Sequence, residues 1–349
     1  MEGSGEDAAG GSIAVRPQPV EALGKGEGSR VKRIGLLTSG GDAPGMNAAV
    51  RAVVRRALAA GCVAVGVQEG YAGLIEGWME ELDHRAVGDI IHRGGTILRT
   101  ARSEAFRTPE GQERALEQLR RHAIDGLVAI GGDGTLRGAL ALHRRGFPVV
   151  GIPATIDNDL AGTDVTIGFD TAVNTVLEAI NRVRDTATAH GRTFVIEVMG
   201  RHSGQIALMA GLAGGAESIL VPEVPYDLDD VCARLLRGRQ RGKRHSIIVV
   251  AEGAARGFEV AQAIEARTGL ETRVTVLGHI QRGGTPSGRD RLVASILGAA
   301  AVEVLLQGQS GVMVGVRGDG WVATPIDQIL ATPRPLPEGW IQLAEVLAR

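Results

Sequence analysis

Two cysteines occur in 349 residues, Cys62 and Cys232, in unrelated contexts and without metal-ligand spacing. That excludes a disulfide framework and suits a reduced compartment, with both thiols buried or inert. No run of about 18 uncharged apolar residues is present, so no membrane-spanning helix is expected. Residues 1–29 lack the apolar stretch of a secretory signal, and a cytoplasmic protein is expected. An excess of one charge is missing as well: 38 Lys and Arg face 40 Asp and Glu, a formal charge of -2. Nucleic acid and membrane surfaces are therefore not expected partners, and any anion site has to be local. There is no fixed internal period, which excludes a solenoid.

What is abundant is glycine, 51 residues, about twice average usage and without the strict period of a collagen. The apolar fraction of 44% over 349 residues is enough for two packed cores and implies two globular domains. Residues 1–29 are rich in Gly, Ser, Glu and Ala, the composition of a disordered tail. Beyond Val31, short β-branched runs alternate with helical patterns: Ile34 to Leu37, Met46 to Ala60, Val63 to Val67, Gly126 to Ile130 and Leu136 to Arg144. Further strand-like runs lie at Val149 to Ile152, Thr193 to Val198, Ser246 to Ala251 and Arg273 to Leu277. This alternation predicts βαβ units and an α/β fold on parallel sheets, with ligands at the strand ends. Residues 321–349 read as a packed tail, with Pro325, Pro333, Pro335 and Pro337 ahead of a short helix.

Thr38 to Gly45 (TSGGDAPG) follows the first strand and precedes a helix, where bare backbone N–H groups and the helix dipole suit an anion. A tight βα turn without a ligand would use the same glycines. The stretch is neither a Walker A loop nor GxGxxG. Gly131 to Thr135 (GGDGT) adds a carboxylate to a second such turn. Asp133 could hold Mg²⁺ while the N–H groups bind nucleotide phosphates, or it could simply cap the helix. The same loop occurs in NAD kinases and lipid kinases, so it points to nucleotide phosphoryl transfer without choosing an acceptor.

Thr155-Ile156-Asp157-Asn158-Asp159 packs two carboxylates into one turn after a strand. A sugar hydroxyl becomes a nucleophile when a carboxylate takes its proton, and Asp157 is the candidate base. An Asx-type turn with solvated acids is the alternative. Positive charge to meet the transferring group could come from Arg102 and Arg201, each beside small residues. His279 and Arg282, in LGHIQRGG, form a pair suited to a phosphate monoester.

Seven ordered motifs, TSGGDAPGMN (38–47), RGGT (93–96), GGDGT (131–135), PATIDND (153–159), IGFDTA (167–172), EVMGRHSG (197–204) and LGHIQRGG (277–284), run from about Val31 onward. Through them the chain resembles the bacterial-type ATP-dependent 6-phosphofructokinase family. The resemblance implies two Rossmann-like domains: 30–167 with 280–330 for ATP and Mg²⁺, and 168–279 with 331–349 for fructose 6-phosphate. It implies that ATP is bound by Gly41, Arg102, Ser103, Gly132, Asp133, Gly134 and Thr135, with Asp133 on the metal. It makes Asp157 the proton acceptor for the sugar 1-hydroxyl, alongside Thr155, Asp159, Arg102 and Arg201. Fructose 6-phosphate is assigned to Thr155, Ile156, Asp157, Met199, Gly200, Arg201, Glu252, His279 and Arg282. Arg192 and Arg273 match arginines that reach across from a neighbouring subunit of a homotetramer.

In that family ATP enzymes carry Gly where this chain has Gly134, and pyrophosphate enzymes carry Asp. Before TIDND the ATP enzymes usually carry Gly and the pyrophosphate enzymes Lys; Ala154 matches neither, but it is small and uncharged and cannot replace the lysine's phosphate contact, so ATP is the expected donor. Arg51, Arg55, Arg184, Glu217, Arg241, Lys243, Arg244 and His245 match an effector site for a nucleoside diphosphate or phosphoenolpyruvate. Arg241 and Arg244 stand where related chains often have Lys, and a solvated basic turn is the bland alternative for that run. Two further readings stay open: the same nucleotide loop with NAD or a lipid as acceptor, which leaves TIDND and HIQR without a purpose, and a silent effector-binding protein.

Overall fold

The computed structural model describes residues 31–347. The tail expected over 1–29 lies outside the described residues. From Arg33 the chain forms β1 (Arg33–Ser39), α1 (Met46–Ala59), β2 (Val63–Val67), α2 (Gly70–Glu76), β3 (Met79–Leu82), α3 (Pro109–Arg121), β4 (Gly126–Gly131), α4 (Asp133–Arg144) and β5 (Val149–Pro153). Then follow α5 (Phe169–His190), β6 (Thr193–Val198), α6 (Gln205–Ala213), β7 (Ser218–Leu220), α7 (Leu228–Gln240), β8 (Ser246–Ala251), α8 (Gly257–Thr268) and β9 (Thr272–Val276). The chain returns through α9 (Gly288–Leu306), β10 (Val312–Arg317), β11 (Gly320–Pro325), α10 (Ile326–Ala331) and α11 (Trp340–Leu347).

The larger sheet has the order β11-β10-β5-β4-β1-β2-β3, the smaller β7-β8-β6-β9. Every ladder of the smaller sheet is parallel. The larger is parallel from β10 to β2 and closed at each edge by an antiparallel strand, β11 on β10 and β3 on β2. Residues 321–325, expected in a packed tail, thus belong to an edge strand: Trp321 pairs with Val316, both side chains are buried, and Pro325, with no N–H to give, closes the strand.

Local chemistry sets the helix starts. Gly45 turns left-handed at φ +106°, and a Cβ there would come 2.7 Å from Ile167 Cγ2, so the first turn needs glycine. Thr108 accepts the Gly111 N–H on its hydroxyl at 3.1 Å, with Pro109 at the first helical position of α3.

The length and apolar content imply two cores, and the structure arranges them otherwise. Along β4, Val128 and Ile130 face one cluster while Leu127 and Ala129 face another, the alternation of a strand covered on both faces. Along β8, Ile247 and Val249 join the same cluster as Val128, while Ile248 and Val250 form a third. The inner faces of both sheets therefore share one core, and each outer face has its own.

Candidate active site

β1 leads to β2 on one side and β4 to β5 on the other, so connections diverge between β1 and β4. Ligands of doubly wound sheets sit at such a point. Here the carboxyl ends of β1, β4 and β5 open on a cavity of about 750 Å³. Gly41 lines it from the first glycine turn and Gly132, Asp133, Gly134 and Thr135 from the second. The Thr135 hydroxyl donates to the Ser39 carbonyl at 2.8 Å, stitching the two turns together. A Cβ on Gly131 would lie 2.3 Å from that hydroxyl and 2.5 Å from that carbonyl, which explains its glycine; around Gly134 nothing lies within 4 Å. Arg102 and Ser103 reach the cavity from an irregular segment, anchored where the Thr100 hydroxyl donates to the Gly40 carbonyl at 2.7 Å. Tyr71, stacked on Phe106 with centroids 4.1 Å apart, donates to the Thr135 carbonyl at 2.7 Å. Both rings line the cavity, and neither carries a signal in the sequence.

Thr155, Asp157 and Asp159 line the cavity from the loop after β5. The Asp157 N–H donates to the Thr155 hydroxyl at 3.2 Å. Asn158 is left-handed at φ +50°, and its side-chain oxygen accepts the Thr166 N–H at 3.0 Å. The turn is therefore held by its own polar groups; Asp157 is half-buried, whereas Asp159 is exposed where the loop meets the cavity. Burial holds the Asp157 carboxyl above the ordinary range against Arg282 and His202, with Glu252 adding to the rise. Asp159 opens on the cavity; burial, with the charges of Asp157 and Asp133, pushes its carboxyl up to about 6. Ile156, expected with the substrate contacts, is fully buried in the shared core.

Asp133 begins α4, and Arg137 takes both its oxygens, Nε to Oδ2 at 2.8 Å and Nη2 to Oδ1 at 3.2 Å. Among the described residues no group of three or more His, Cys, Asp or Glu side chains could hold a metal by itself. Asp133, Asp157 and Asp159 nevertheless bring carboxylate oxygens, the donors a hard cation prefers, to one cavity, and burial together with the charges of Asp157 and Asp133 raises the Asp159 carboxyl to about 6. That fits a divalent cation bound through Asp133 and phosphate oxygens.

The smaller sheet brings a second set of loops. Met199, Gly200 and Arg201 follow β6, with Gly200 at φ +134°, and the Met199 N–H donates to Gln281 Oε1 at 3.3 Å. The buried Ser203 hydroxyl donates to the Asp157 carbonyl at 2.8 Å. Glu252 follows β8, and His279 and Arg282 lie in the short turn Gly278–Arg282 after β9. Arg201, Glu252 and His279 are exposed and stand outside the cavity wall, whereas Arg282 is part of it. Its guanidinium donates to the Asp42 carbonyl at 3.2 Å and would lie 2.5 Å from a Cβ on Gly41, so it leans over the first glycine turn. His202 and Gln281 were not singled out in the sequence, although the charge of one reaches Asp157 and the amide of the other holds Met199.

Arg192 and Arg273 are not brought to this site. They stand at the starts of β6 and β9, paired on Glu271, and the strands carry Met199 and Leu277 at their other ends, about 20 Å away at the rise of a strand. Near that far edge, Arg184 donates to the Gly214 carbonyl, Glu217 pairs with Lys243 and accepts the Ile247 N–H, and His245 Nδ1 lies 3.2 Å from the Thr188 hydroxyl. Arg241 caps α7, and Arg244 lines a groove of about 410 Å³ with Lys243. Arg51 and Arg55 stand apart on α1, which belongs with the larger sheet.

A doubly wound sheet whose glycine turns share a cavity with carboxylates and arginines is the arrangement of a phosphoryl-transfer enzyme. The model of the phosphofructokinase family matches residues 33–305, and the chain belongs to that family. It is 59% identical over 318 residues to the ATP-dependent 6-phosphofructokinase of Bacillus subtilis and 56% identical to that of Shouchella clausii, covering 91% of this chain and 100% of each relative. Phosphofructokinase from Saccharomyces cerevisiae is similar in structure at TM-score 0.81 and 38% identity, over 86% of this chain and 45% of that one. This chain thus spans less than half of the yeast chain. A pyrophosphate-dependent phosphofructokinase from Marinobacter aquaeolei shares the fold at TM-score 0.78 and 24% identity, over 90% and 91% of the two chains. No described helix is long and apolar enough to cross a membrane.

Proposed function

We propose that the chain is an ATP-dependent 6-phosphofructokinase, which moves the γ-phosphoryl group of ATP to the 1-hydroxyl of fructose 6-phosphate and releases fructose 1,6-bisphosphate and ADP in glycolysis. The observation that carries this reading is that Asp133 and Asp157 line one cavity together with Arg102 and Arg282. Gly41, Arg102, Ser103 and the turn Gly132 to Thr135 hold the nucleotide; the open space above Gly134 and the small Ala154 leave room for a triphosphate. Asp157 accepts the proton of the sugar hydroxyl, and its burial brings its proton affinity closer to that of a working base at neutral pH. Thr155 and Asp159 orient it. Asp133 would hold Mg²⁺, which when bound neutralises charge on the phosphates. Arg102 from the cavity wall, and Arg201 moving in from the loop outside it when the sugar ester binds, meet the negative charge that develops on the transferring group.

The sugar ester lies toward Met199, Gly200, Arg201, Glu252, His279 and Arg282, completed by Arg192 and Arg273 of a neighbouring copy in a homotetramer. Residues 30–167 with 280–330 form the nucleotide half and 168–279 with 331–349 the sugar half. Arg184, Glu217, Arg241, Lys243, Arg244 and His245, with Arg51 and Arg55 from another copy, receive a nucleoside diphosphate or phosphoenolpyruvate. The enzyme is cytoplasmic. Initial rates with Mg²⁺, comparing ATP with pyrophosphate as donor and fructose 6-phosphate with NAD as acceptor, test the activity: turnover is expected with ATP and fructose 6-phosphate, and a preference for pyrophosphate or NAD would overturn it.

A further inference from the structure

Arg137 has no part in the roles above, yet it stands inside the nucleotide cavity. It lies one helical turn after Asp133, and Asp133, Arg137 and Ala141, spaced by four along α4, all line the wall. Its guanidinium takes both carboxylate oxygens, at 2.8 and 3.2 Å. A metal bound to Asp133 needs at least one of those oxygens, and Arg137 occupies both, so fork and metal compete for the carboxylate.

The pair is built to be given up. Arg137 and Asp133 are 62% and 45% exposed, whereas the bridge between Arg56 and Glu303 is 11% and 7% exposed. Exposed pairs of this kind are weak, and a divalent cation carried by a polyphosphate can displace one. A displaced guanidinium would still lie on a helix face that lines the cavity, beside the negative charge that has just entered.

We propose that Arg137 is a place-holder for the metal: it neutralises Asp133 while the cavity is without nucleotide, and yields the carboxylate when a metal-bound triphosphate arrives. The inference rests on Asp133 being the metal carboxylate. Its consequence is an order of binding, because a free cation meets an Asp133 that is already paired, and the metal enters with the nucleotide.

The test titrates Mn²⁺, without nucleotide, into the full-length protein and follows free Mn²⁺ by electron paramagnetic resonance. Arg137→Gln should bind Mn²⁺ about two- to fivefold more tightly than the wild type, the range that an exposed ion pair allows. In an Asp133→Asn background the same change at 137 should have no effect. Equal Mn²⁺ affinity in wild type and Arg137→Gln overturns the place-holder. If Asp133→Asn leaves the affinity for Mn²⁺ with ATP untouched, it is the assignment of Asp133 that falls. Residue 137 is exposed, and an unchanged thermal melt confirms that the variant is folded.

Discussion

The Ser203 hydroxyl reaches the backbone carbonyl of Asp157 at 2.8 Å, and this bond ties the acidic loop of the larger sheet to the loop that carries Arg201. Ser203→Ala removes it from a buried position. A loss of about 1 kcal/mol in urea denaturation is expected, with a rise in KM for fructose 6-phosphate larger than the fall in kcat. Unchanged KM and stability would show that the bond is incidental.

Asp157→Ser tests the base. Removing a positioned proton acceptor lowers kcat by about 10²- to 10⁴-fold, while KM changes little because ground-state contacts remain. Steady-state kinetics at saturating ATP read this directly, and near-normal turnover would end the role of Asp157.

The acid limb of the pH profile reports the same carboxyl. Asp157 works ionised, and its folded pKa lies above the 3.8 of a free side chain, so kcat should fall, as pH drops, at a higher pH than an unperturbed aspartate predicts. The charge of Glu252 adds to that rise; Glu252→Gln should therefore move the limb of kcat to lower pH even if KM increases. A limb that stays in place would assign it to another group.

Asp159 gives a stability counterpart. Its carboxyl is raised from 3.8 to about 6, so the folded state holds this proton more tightly than the unfolded chain. The resulting stabilisation is present below the unfolded value and is lost as pH rises through the folded one. In metal- and nucleotide-free protein, Asp159→Asn should raise Tm relative to the wild type more at pH 8 than at pH 4. Equal differences at the two pH values would contradict the raised carboxyl.

Gly134→Asp tests the room for the donor. Nothing lies within 4 Å of a Cβ there, so the variant should fold normally. A carboxylate facing a phosphate across about 4 Å at an effective dielectric near 20 opposes binding by about 4 kcal/mol, and kcat/KM for ATP should fall at least tenfold. Retained ATP affinity, measured by isothermal titration, would place the triphosphate elsewhere.

Much of this was legible in the residues. Runs such as Gly126 to Ile130 followed by GGDG announce a strand and an open turn, because a strand covered on both faces is apolar throughout and its ligand turn needs bare backbone. Residues 321–325 read as the start of a tail because the prolines from Pro325 onward obscure a strand that only its partner β10 makes stable. The shared core could not be read, since strand periodicity says which faces are covered and not what covers them. The pairing of Asp133 with Arg137 did have a signal, the i,i+4 spacing of opposite charges on a helix. Arg282 was expected on the sugar ester, and its lean over Gly41 follows from the approach of loops more than two hundred residues apart.

Because Val128 of one sheet and Val249 of the other lie in a single apolar cluster, the chain has no seam along which a nucleotide half could be cut from a sugar half. Each piece would expose the surface the other covers. Melting should therefore run through both halves together.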